Sequence, residues 1–320
     1  MNLPALPLAE VPEVDPPQRT SELELSPELL RRLELLNVVA RKTLSGLVRA
    51  NRQSNRKGVS AEFVDHRAYV PGDDIRHVDW HLFGRLEELF LKLYREEENL
   101  HLTLLLDCSA SMATGTGERT RATGPSKLVQ GALIAAALAY IGLSNMDCVN
   151  LVPFNDRLLP GRWRLRGRGQ VHGLFDFLRG LEGGGETALE QATRAFVARE
   201  PRRGVVVVIS DFYDREGFQQ SLKQLSYRKH DVHAIQVVDP TEASPSLRGD
   251  LRLVDSESGL ERAVVVTDAL KARYEEAFAA LLEGTERFCA RNEIGYAQAP
   301  TTLAFDALVL TILRRRGPVR

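Results

Sequence analysis

Five oxygen-bearing side chains in this 320-residue sequence are spaced as if to hold a metal ion. Asp107, Ser109 and Ser111 form an Asp-x-Ser-x-Ser pattern, and Thr187 and Asp211 follow further along the chain. The alternate spacing lets one tight turn aim the first three side chains at a single point. Carboxylate and hydroxyl oxygens suit hard cations such as Mg²⁺, which takes an octahedral shell at about 2.0–2.1 Å. The set predicts one divalent cation, with Mg²⁺ first and Mn²⁺ or Ca²⁺ as alternatives.

The hydroxyl donors of this set carry no charge. An ion held by them stays incompletely neutralised and should attract an acidic side chain from another molecule. This is the chemistry of docking a partner's Asp or Glu, and it requires no reaction step. The sequence therefore predicts a protein-binding site and no enzymatic activity.

Short apolar runs without alternation supply the framework around these residues. Such runs are typical of strands covered on both faces of a parallel sheet, and here they alternate with helical patterns. The strand runs are residues 102–107, 148–154, 204–211 and 232–239, and the helical patterns are residues 126–144, 170–181, 187–200 and 216–229. We expect a doubly wound, mostly parallel α/β sheet.

The candidate ligands follow elements of this sheet. Ligands of open parallel sheets bind beyond the carboxyl ends of the strands, and Asp107 and Asp211 each end a strand run. Thr187 follows the triple glycine 183–185, which permits positive φ and close backbone approach. The loop 113–125 is rich in glycine and threonine. We expect it to lie beside the site and to influence the choice of partner.

Both ends of the chain carry simpler signals. Ser26-Pro27-Glu28 combines a capping hydroxyl, a first-turn proline and an acid, so an amphipathic helix should run from there to about Ala50. A hairpin around Ser258-Gly259 should span residues 251–266, with helices over 268–292 and 305–316. The predicted organisation is a flexible tail (1–20), an N-terminal helix with an irregular, short-stranded appendage (21–99), and the main domain (100–320).

The five residues also carry a resemblance. Asp107, Ser109, Ser111, Thr187 and Asp211 match in order the metal-ion-dependent adhesion site of von Willebrand factor A domains, and the region of about 100–240 resembles such a domain. The resemblance implies that the serines and the threonine contact the metal. It also implies that the aspartates act directly or through water and that a partner's carboxylate completes the shell.

A second block of motifs narrows the resemblance to one bacterial family. The block contains the segments GVSAEFVDHR (58–67), YVPGDDIR (69–76), VDW (78–80) and GR (84–85). It resembles the von Willebrand factor A-like family catalogued as domain of unknown function 58, in which alanine is usual at the place of Gly84. That family is associated with MoxR-type AAA+ ATPases. The resemblance implies such an ATPase, or a client protein with an acidic side chain, as partner in protein maturation or complex assembly.

Composition limits the other classes of partner and the compartment. The formal net charge is −1, so no overall field attracts nucleic acid or anionic lipid. The three cysteines show no metal-ligand spacing and fit a reducing compartment. The first residues lack a basic start and an apolar run, so no signal peptide is predicted. The apolar stretch 128–143 is shorter than the roughly 20 residues of a membrane span. We expect a cytoplasmic protein.

Two other functions remain open at this stage. Asp107 could be the nucleophile of a Mg²⁺-dependent phosphoester hydrolase, but Ser109 stands where such enzymes need a second acid. No P-loop pattern is present. Alternatively, the arginines of residues 157–168, together with Trp163, could bind a nucleic-acid strand.

Residues 65–85 contain a further group of candidate ligands. His77 and His81 have a spacing that suits one face of a helix and a second metal site. Pro71-Gly72 and the VDW segment (78–80) argue against a helix there. We therefore expect a buried Arg–Asp network that docks this block onto the sheet.

Overall fold

A computed structural model describes residues 20, 26–38, 61–96, 100–113, 125–214, 217–257, 259–304, 307 and 309. The chain divides into two compact units. The smaller unit lies within residues 44–99, and the larger combines residues up to 43 with those from 100 onward. The predicted tail of residues 1–20 and the loop of residues 114–124 fall, apart from Thr20, outside the described residues.

The N-terminal helix begins where the capping signal predicts it. Helix α1 covers residues 27–38, and Ser26 Oγ accepts a hydrogen bond from the Leu29 backbone N–H at 3.1 Å. Leu33 and Leu36 on this helix are buried. The rest of the predicted helix, residues 39–50, lies outside the described residues.

The smaller unit is built on a two-stranded antiparallel sheet. Strand β1 (Ala61–Ala68) pairs with β2 (Phe90–Glu96), and helix α2 (Trp80–Leu86) lies between them in sequence. Asp79 caps α2, because its Oδ1 accepts hydrogen bonds from the backbone N–H groups of His81 and Leu82 at 3.0 and 3.2 Å. The expectation that no helix forms here was wrong, since this cap starts one directly after the turn signals.

Ion pairs in the smaller unit connect its own segments. Arg67 Nη2 donates to both carboxylate oxygens of Asp73 at 2.9 Å, and His66 Nε2 lies 2.9 Å from Asp79 Oδ2. The hydrogen bond with His66 is the main cause that holds the pKa of Asp79 down at about 2. The Arg67 side chain is 39% exposed. The Arg67–Asp73 contact is therefore a partly exposed ion pair within the unit.

A six-stranded, mostly parallel sheet forms the centre of the larger unit. The described strands are β3 (His101–Asp107), β4 (Cys148–Phe154), β5 (Arg162–Leu165), β6 (Val205–Ser210), β7 (Asp231–Val238), β8 (Gly249–Val254), β9 (Glu261–Val266) and β10 (Gly295–Pro300). The sheet order is β10-β7-β6-β3-β4-β5, and only β5 runs antiparallel to its neighbour. β8 and β9 pair with each other as a separate antiparallel ribbon. The predicted α/β class with a mostly parallel sheet is confirmed.

Helices cover both faces of this sheet, as the alternating pattern predicts. They are α3 (Ala110–Ala113), α4 (Lys127–Ser144), α5 (Val171–Arg179), α6 (Leu189–Arg199), α7 (Gln219–Tyr227), α8 (Pro240–Ala243) and α9 (Asp268–Arg291). Leu104, Leu105 and Leu106 at the centre of β3 are fully buried, which explains the absence of alternation in that run.

Helix α4 is the apolar centre of one face. In the described part of the chain it is the helix with the length and composition to cross a membrane, with a mean hydropathy of 1.5, yet 94% of it is buried inside the protein. At Gly131 the helix approaches the side chains of Leu106 and Ile209 closely, so it packs directly on β3 and β6. This burial fits the expected core helix.

The C-terminal part differs from the prediction in one element. Strand β10 was not predicted, because its sequence GYAQAP has no β-branched residue and only one aromatic residue, beside glycine, alanine and proline. Its pairing with the edge of β7 buries Ala297 and Ala299 and stabilises it as a strand. The predicted helix 305–316 lies, apart from residues 307 and 309, outside the described residues.

Candidate metal site at the carboxyl edge of the sheet

The two predicted aspartates lie at the ends of adjacent strands. β3 and β6 pair in parallel, Asp107 is the last residue of β3, and Asp211 directly follows β6. Both side chains have no exposed surface. Ser210 Oγ donates a hydrogen bond of 2.6 Å to Asp107 Oδ2, so it ties the two strand ends together. The sheet topology therefore brings the two carboxylates to one place, as the strand-end argument predicts.

The turn after β3 brings two hydroxyls together. The backbone N–H of Ser109 donates to Asp107 Oδ1 at 2.9 Å, which fixes the turn. Ser109 Oγ and Ser111 Oγ lie 3.0 Å apart. In an octahedral shell with ligands at about 2.1 Å, neighbouring oxygens are about 3.0 Å apart. The two serine hydroxyls are thus hydrogen-bonded to each other, at a separation that adjacent ligands on one Mg²⁺ ion would also have.

The triple-glycine loop lies against this turn. Gly184 N–H donates to the Cys108 carbonyl at 2.8 Å, and Ala110 N–H donates to the Gly185 carbonyl at 3.0 Å. A Cβ on Gly183 would lie 2.4 Å from the Cβ of Ala113, so only glycine permits this approach. Gly185 adopts a φ of +81°, which glycine adopts without strain. Both properties inferred from the sequence, close approach and positive φ, are present.

Thr187 follows this loop and is nearly buried, with 8% of its surface exposed. Its hydroxyl donates a hydrogen bond of 2.9 Å to Glu257 Oε1. Glu257 belongs to the turn of the β8–β9 ribbon, so a carboxylate distant in sequence reaches the loop that carries Thr187. No sequence pattern indicated a role for Glu257.

A buried lysine next to Asp211 was also missed. Lys127 Nζ lies 2.8 Å from Asp211 Oδ2 and 2.7 Å from Glu242 Oε1, and the lysine side chain is 1% exposed. Tyr213 OH donates to Glu242 Oε2 at 2.8 Å, and the Lys127 ammonium lies 4.5 Å from the centre of the Tyr213 ring. A lysine at the start of a largely apolar helix was the local signal, but the pattern does not indicate which residues the lysine contacts.

Three acidic side chains, Asp107, Asp211 and Glu242, lie with one lysine in this cluster, and burial raises the pKa of Glu242 as well as that of Asp107. Burial, and next the repulsion from Asp211, raises the pKa of Asp107 to about 7, although hydrogen bonds from Ser210 and Ser109 act in the other direction. Burial lowers the pKa of Lys127, but the attraction of Asp211 and Glu242 outweighs it and leaves that pKa raised. Lys127 therefore stays charged and is shared by two carboxylates, which leaves an excess of acid in the cluster.

The donor set decides whether a divalent cation fits. Within the described ranges, no three His, Cys, Asp or Glu side chains come together as a metal-binding group. A cation at this edge would therefore depend on the serine and threonine hydroxyls as well as on Asp107 and Asp211. The buried acid excess and the serine separation both fit such an ion. Lys127 is close enough to Asp211 to compete for one of its carboxylate oxygens.

The arginine-rich segment lies elsewhere, at the β5 edge of the sheet. Trp163 stacks on Phe196 with ring centroids 6.4 Å apart, and the Arg199 guanidinium lies 4.3 Å from the centre of the indole. Arg164 Nε lies 3.7 Å from Glu200 Oε2. Arg162 also lies over the Phe177 ring at 5.2 Å, and Arg166 Nε donates to the Met146 carbonyl at 3.1 Å. The aromatic ring and three of the arginines thus already have protein partners.

Two solved structures are similar to this chain over about two thirds of its length. The conserved hypothetical protein BatB from Bacteroides thetaiotaomicron has a TM-score of 0.43 and 14% sequence identity, covering 68% of this chain and 98% of that one. An aerotolerance-related membrane protein from Bacteroides fragilis has a TM-score of 0.40 and 18% identity, covering 68% of this chain and all of that one.

Relatives in sequence occur in mycobacteria. An uncharacterized protein of Mycobacterium bovis is 27% identical over 297 residues, which is 91% of each chain. An uncharacterized protein of Mycobacterium avium is 35% identical over 101 residues, or 32% of this chain and 57% of that one. Residues 65–283 match the family described as "Protein of unknown function DUF58". This match covers most of the chain and confirms the family inferred from the two motif blocks: the protein belongs to the DUF58 family.

Proposed function

We propose that this protein is a metal-dependent, protein-binding adaptor with a von Willebrand factor A-like adhesion site. Asp107, Ser109, Ser111, Thr187 and Asp211 would hold one divalent cation, Mg²⁺ in the first place. The cation would accept an Asp or Glu side chain from the partner. The observation that carries the proposal is the pair of buried carboxylates, Asp107 and Asp211, beside two serine oxygens 3.0 Å apart.

The charge of the cluster supports a cation. Burying a carboxylate is costly unless an opposite charge or several hydrogen bonds compensate it. Asp211 shares the Lys127 ammonium with Glu242, and Asp107 has hydrogen bonds but a raised pKa. A divalent ion between Asp107 and Asp211 would replace their mutual repulsion with attraction.

A hydrolase with Asp107 as nucleophile is less compatible with the geometry. Asp107 has no exposed surface, and both of its carboxylate oxygens accept hydrogen bonds, from Ser109 N–H and Ser210 Oγ. A nucleophile needs an open path to the substrate, and a carboxylate without exposed surface has none. These contacts suit a group that is held in place, so binding is favoured over catalysis.

The class of partner follows from the resemblance. A MoxR-type AAA+ ATPase, or a client protein with an acidic side chain, would dock at the carboxyl edge of the sheet, and the protein would act in maturation or complex assembly. We place this function in the cytoplasm, because none of the three cysteines forms a disulfide, which fits a reducing compartment.

Metal binding tests the proposal directly. We expect isothermal titration calorimetry to detect one Mg²⁺ or Mn²⁺ ion on the full chain and none on Asp107→Ala. The control is Asp176→Ala, which removes an exposed acid of α5 away from the site. Circular dichroism should show that all three proteins are folded. Equal cation binding by the wild type and Asp107→Ala, or none by the wild type, would contradict the proposal.

A partner test follows from the same variant. Wild-type protein coupled to beads should retain the MoxR-type ATPase or a client from the host lysate in Mg²⁺ and release it in EDTA. Asp107→Ala should retain neither, since no ion would be present to accept the partner's carboxylate. Retention that is unaffected by EDTA would indicate a docking surface without metal.

A further inference from the structure

The β8–β9 ribbon extends from the same edge of the sheet as the candidate metal site. It follows β7 through the short helix α8, whose Glu242 contacts Lys127 in the buried cluster. The turn of the ribbon reaches the triple-glycine loop, where Glu257 Oε1 accepts the hydrogen bond from Thr187. The chain therefore brings a carboxylate from a separate element to the hydroxyl of Thr187.

Glu257 is oriented by its own turn. Its backbone N–H donates to Asp255 Oδ1 at 3.0 Å, and Asp255 N–H donates to the Leu260 carbonyl at 2.9 Å. These two contacts shape the turn that presents the Glu257 side chain. A threonine hydroxyl can contact an ion through its lone pairs and still donate its proton to a carboxylate. The contact with Glu257 is thus compatible with Thr187 as a ligand.

The ribbon is attached at its base and its tip, and it is exposed between them. At the base, Arg248 Nη2 lies 3.6 Å from Asp268 Oδ1, and Ser244 Oγ donates to Glu275 Oε1 at 2.7 Å. Leu260 is 69% exposed, and most other residues of the two strands are also exposed. A two-stranded ribbon with so little buried surface is only marginally stable by itself. It can therefore leave the site without disrupting the core.

We propose that Glu257 is the site's own carboxylate partner, so that the ribbon keeps the site closed until an acidic side chain from another molecule displaces it. This inference rests on the proposed adhesion site and adds its regulation. Glu257 then takes the position that a partner's Asp or Glu would take. Displacement moves the ribbon away, so that binding of a partner is coupled to a change in the shape of this edge.

The closed state has a measurable consequence. A ligand that binds only the open state has its apparent affinity reduced by the fraction of molecules that are open. If the closed ribbon is about ten times as populated as the open one, removal of Glu257 raises the apparent affinity for an external carboxylate about tenfold. Removal of Glu257 also leaves one position on the ion for water.

The experiment uses the full chain loaded with Mn²⁺, with acetate as the carboxylate probe and water-proton relaxation as the readout. In Glu257→Gln and Glu257→Ala we expect faster relaxation than in the wild type, because water occupies the vacated position. We also expect acetate to displace this water at about one tenth of the acetate concentration that the wild type requires. Asp250→Asn is the matched control, because it removes an exposed acid from the same ribbon.

Three outcomes overturn the inference in distinguishable ways. If Mn²⁺ binding needs Asp107 but both Glu257 variants behave as the wild type, Glu257 is not a ligand and the adhesion site stands alone. If Asp250→Asn changes relaxation as much as Glu257→Gln, the effect is one of net charge and the inference fails. If Mn²⁺ binds the wild type and Asp107→Ala equally, the adhesion site fails, and the role of Glu257 fails with it.

Discussion

The candidate site has two halves that differ in how their polar atoms are held. In the inner half, Asp107, Asp211 and Lys127 are almost without exposed surface and connected by hydrogen bonds and ion pairs of 2.6 to 3.1 Å. In the outer half, the hydroxyls of Ser111 and Thr187 are slightly exposed, and Thr187 contacts a carboxylate from the exposed ribbon. The inner half fixes the charge of the site and the positions of its carboxylates. The outer half is where one ligand of a bound ion can be exchanged for another.

This difference gives the two halves different roles in stability and binding. A change in the inner half leaves a buried charge without compensation, so it should affect folding first. A change in the outer half removes an oxygen that water can replace, so it should affect ion binding first. The following predictions test this division, beginning with the largest effect.

Replacement of Lys127 should have the largest effect on stability. Lys127→Met keeps most of the side-chain volume but leaves the buried Asp211 and the partly exposed Glu242 without their shared cation. Breaking a buried ion pair by removing one partner typically costs about 3–5 kcal/mol. Urea denaturation should show a loss of free energy of unfolding of this order. The control is Lys223→Met, an exposed lysine of α7, for which about 0.5 kcal/mol or less is expected.

A small effect of Lys127→Met on the free energy of unfolding would contradict the division of the site into two halves. A loss below about 1 kcal/mol would mean that the inner half relaxes or admits water, as an exposed site does. The division between an inner, structural half and an outer, binding half would then have no energetic basis.

The ionisation of Asp107 should make the metal-free protein less stable as pH rises. Its pKa is raised to about 7 in the folded state, from about 3.9 in an unfolded chain. The neutral carboxyl is thus favoured by folding, and its contribution is fully present below about pH 4 and lost as pH rises through about 7. Urea denaturation at several pH values should show this decline in EDTA. In Asp107→Asn, whose side chain cannot ionise, the decline of stability with rising pH should be smaller.

The same titration should respond to Mg²⁺ in the opposite direction. A cation needs the ionised carboxylate, so added Mg²⁺ should stabilise the protein more at about pH 8 than at about pH 5. The free energy of unfolding of the wild type and that of Asp107→Asn could depend on pH in the same way, with and without Mg²⁺. That result would show that the pKa of Asp107 does not change on folding.

The inner half also shows where the sequence was informative and where it was not. Asp107 and Asp211 could be located because each ends an apolar strand run, and parallel strands place such ends at one edge. Lys127 could not be assigned to them, since its contact with Asp211 depends on where α4 crosses the sheet. A lysine in the first turn of a helix is usually exposed to solvent.

The outer half depends on contacts over a longer separation. Glu257 reaches Thr187 through a ribbon whose direction is set by α8 and α9, and no local pattern encodes that direction. Strand β10 was missed for a similar reason, because its small residues become a strand only by pairing with β7. In both cases tertiary contacts decided the outcome, whereas the central strands followed from their own sequence.

The smallest effect on stability is expected for Thr187, where the effect on binding should be large. Thr187→Val keeps the shape of the side chain and removes the hydroxyl that contacts Glu257. A hydrogen bond to a carboxylate contributes about 1.5–3 kcal/mol to the free energy of unfolding when shielded from water, and less at a partly exposed position such as this one. Calorimetry should nevertheless show weaker Mn²⁺ binding, because one proposed ligand is lost.

The control is Ser256→Ala, which removes an exposed hydroxyl beside Glu257 without changing the proposed ligands. Weaker binding without loss of stability would separate the two halves, whereas unchanged Mn²⁺ affinity would remove Thr187 from the ligand set.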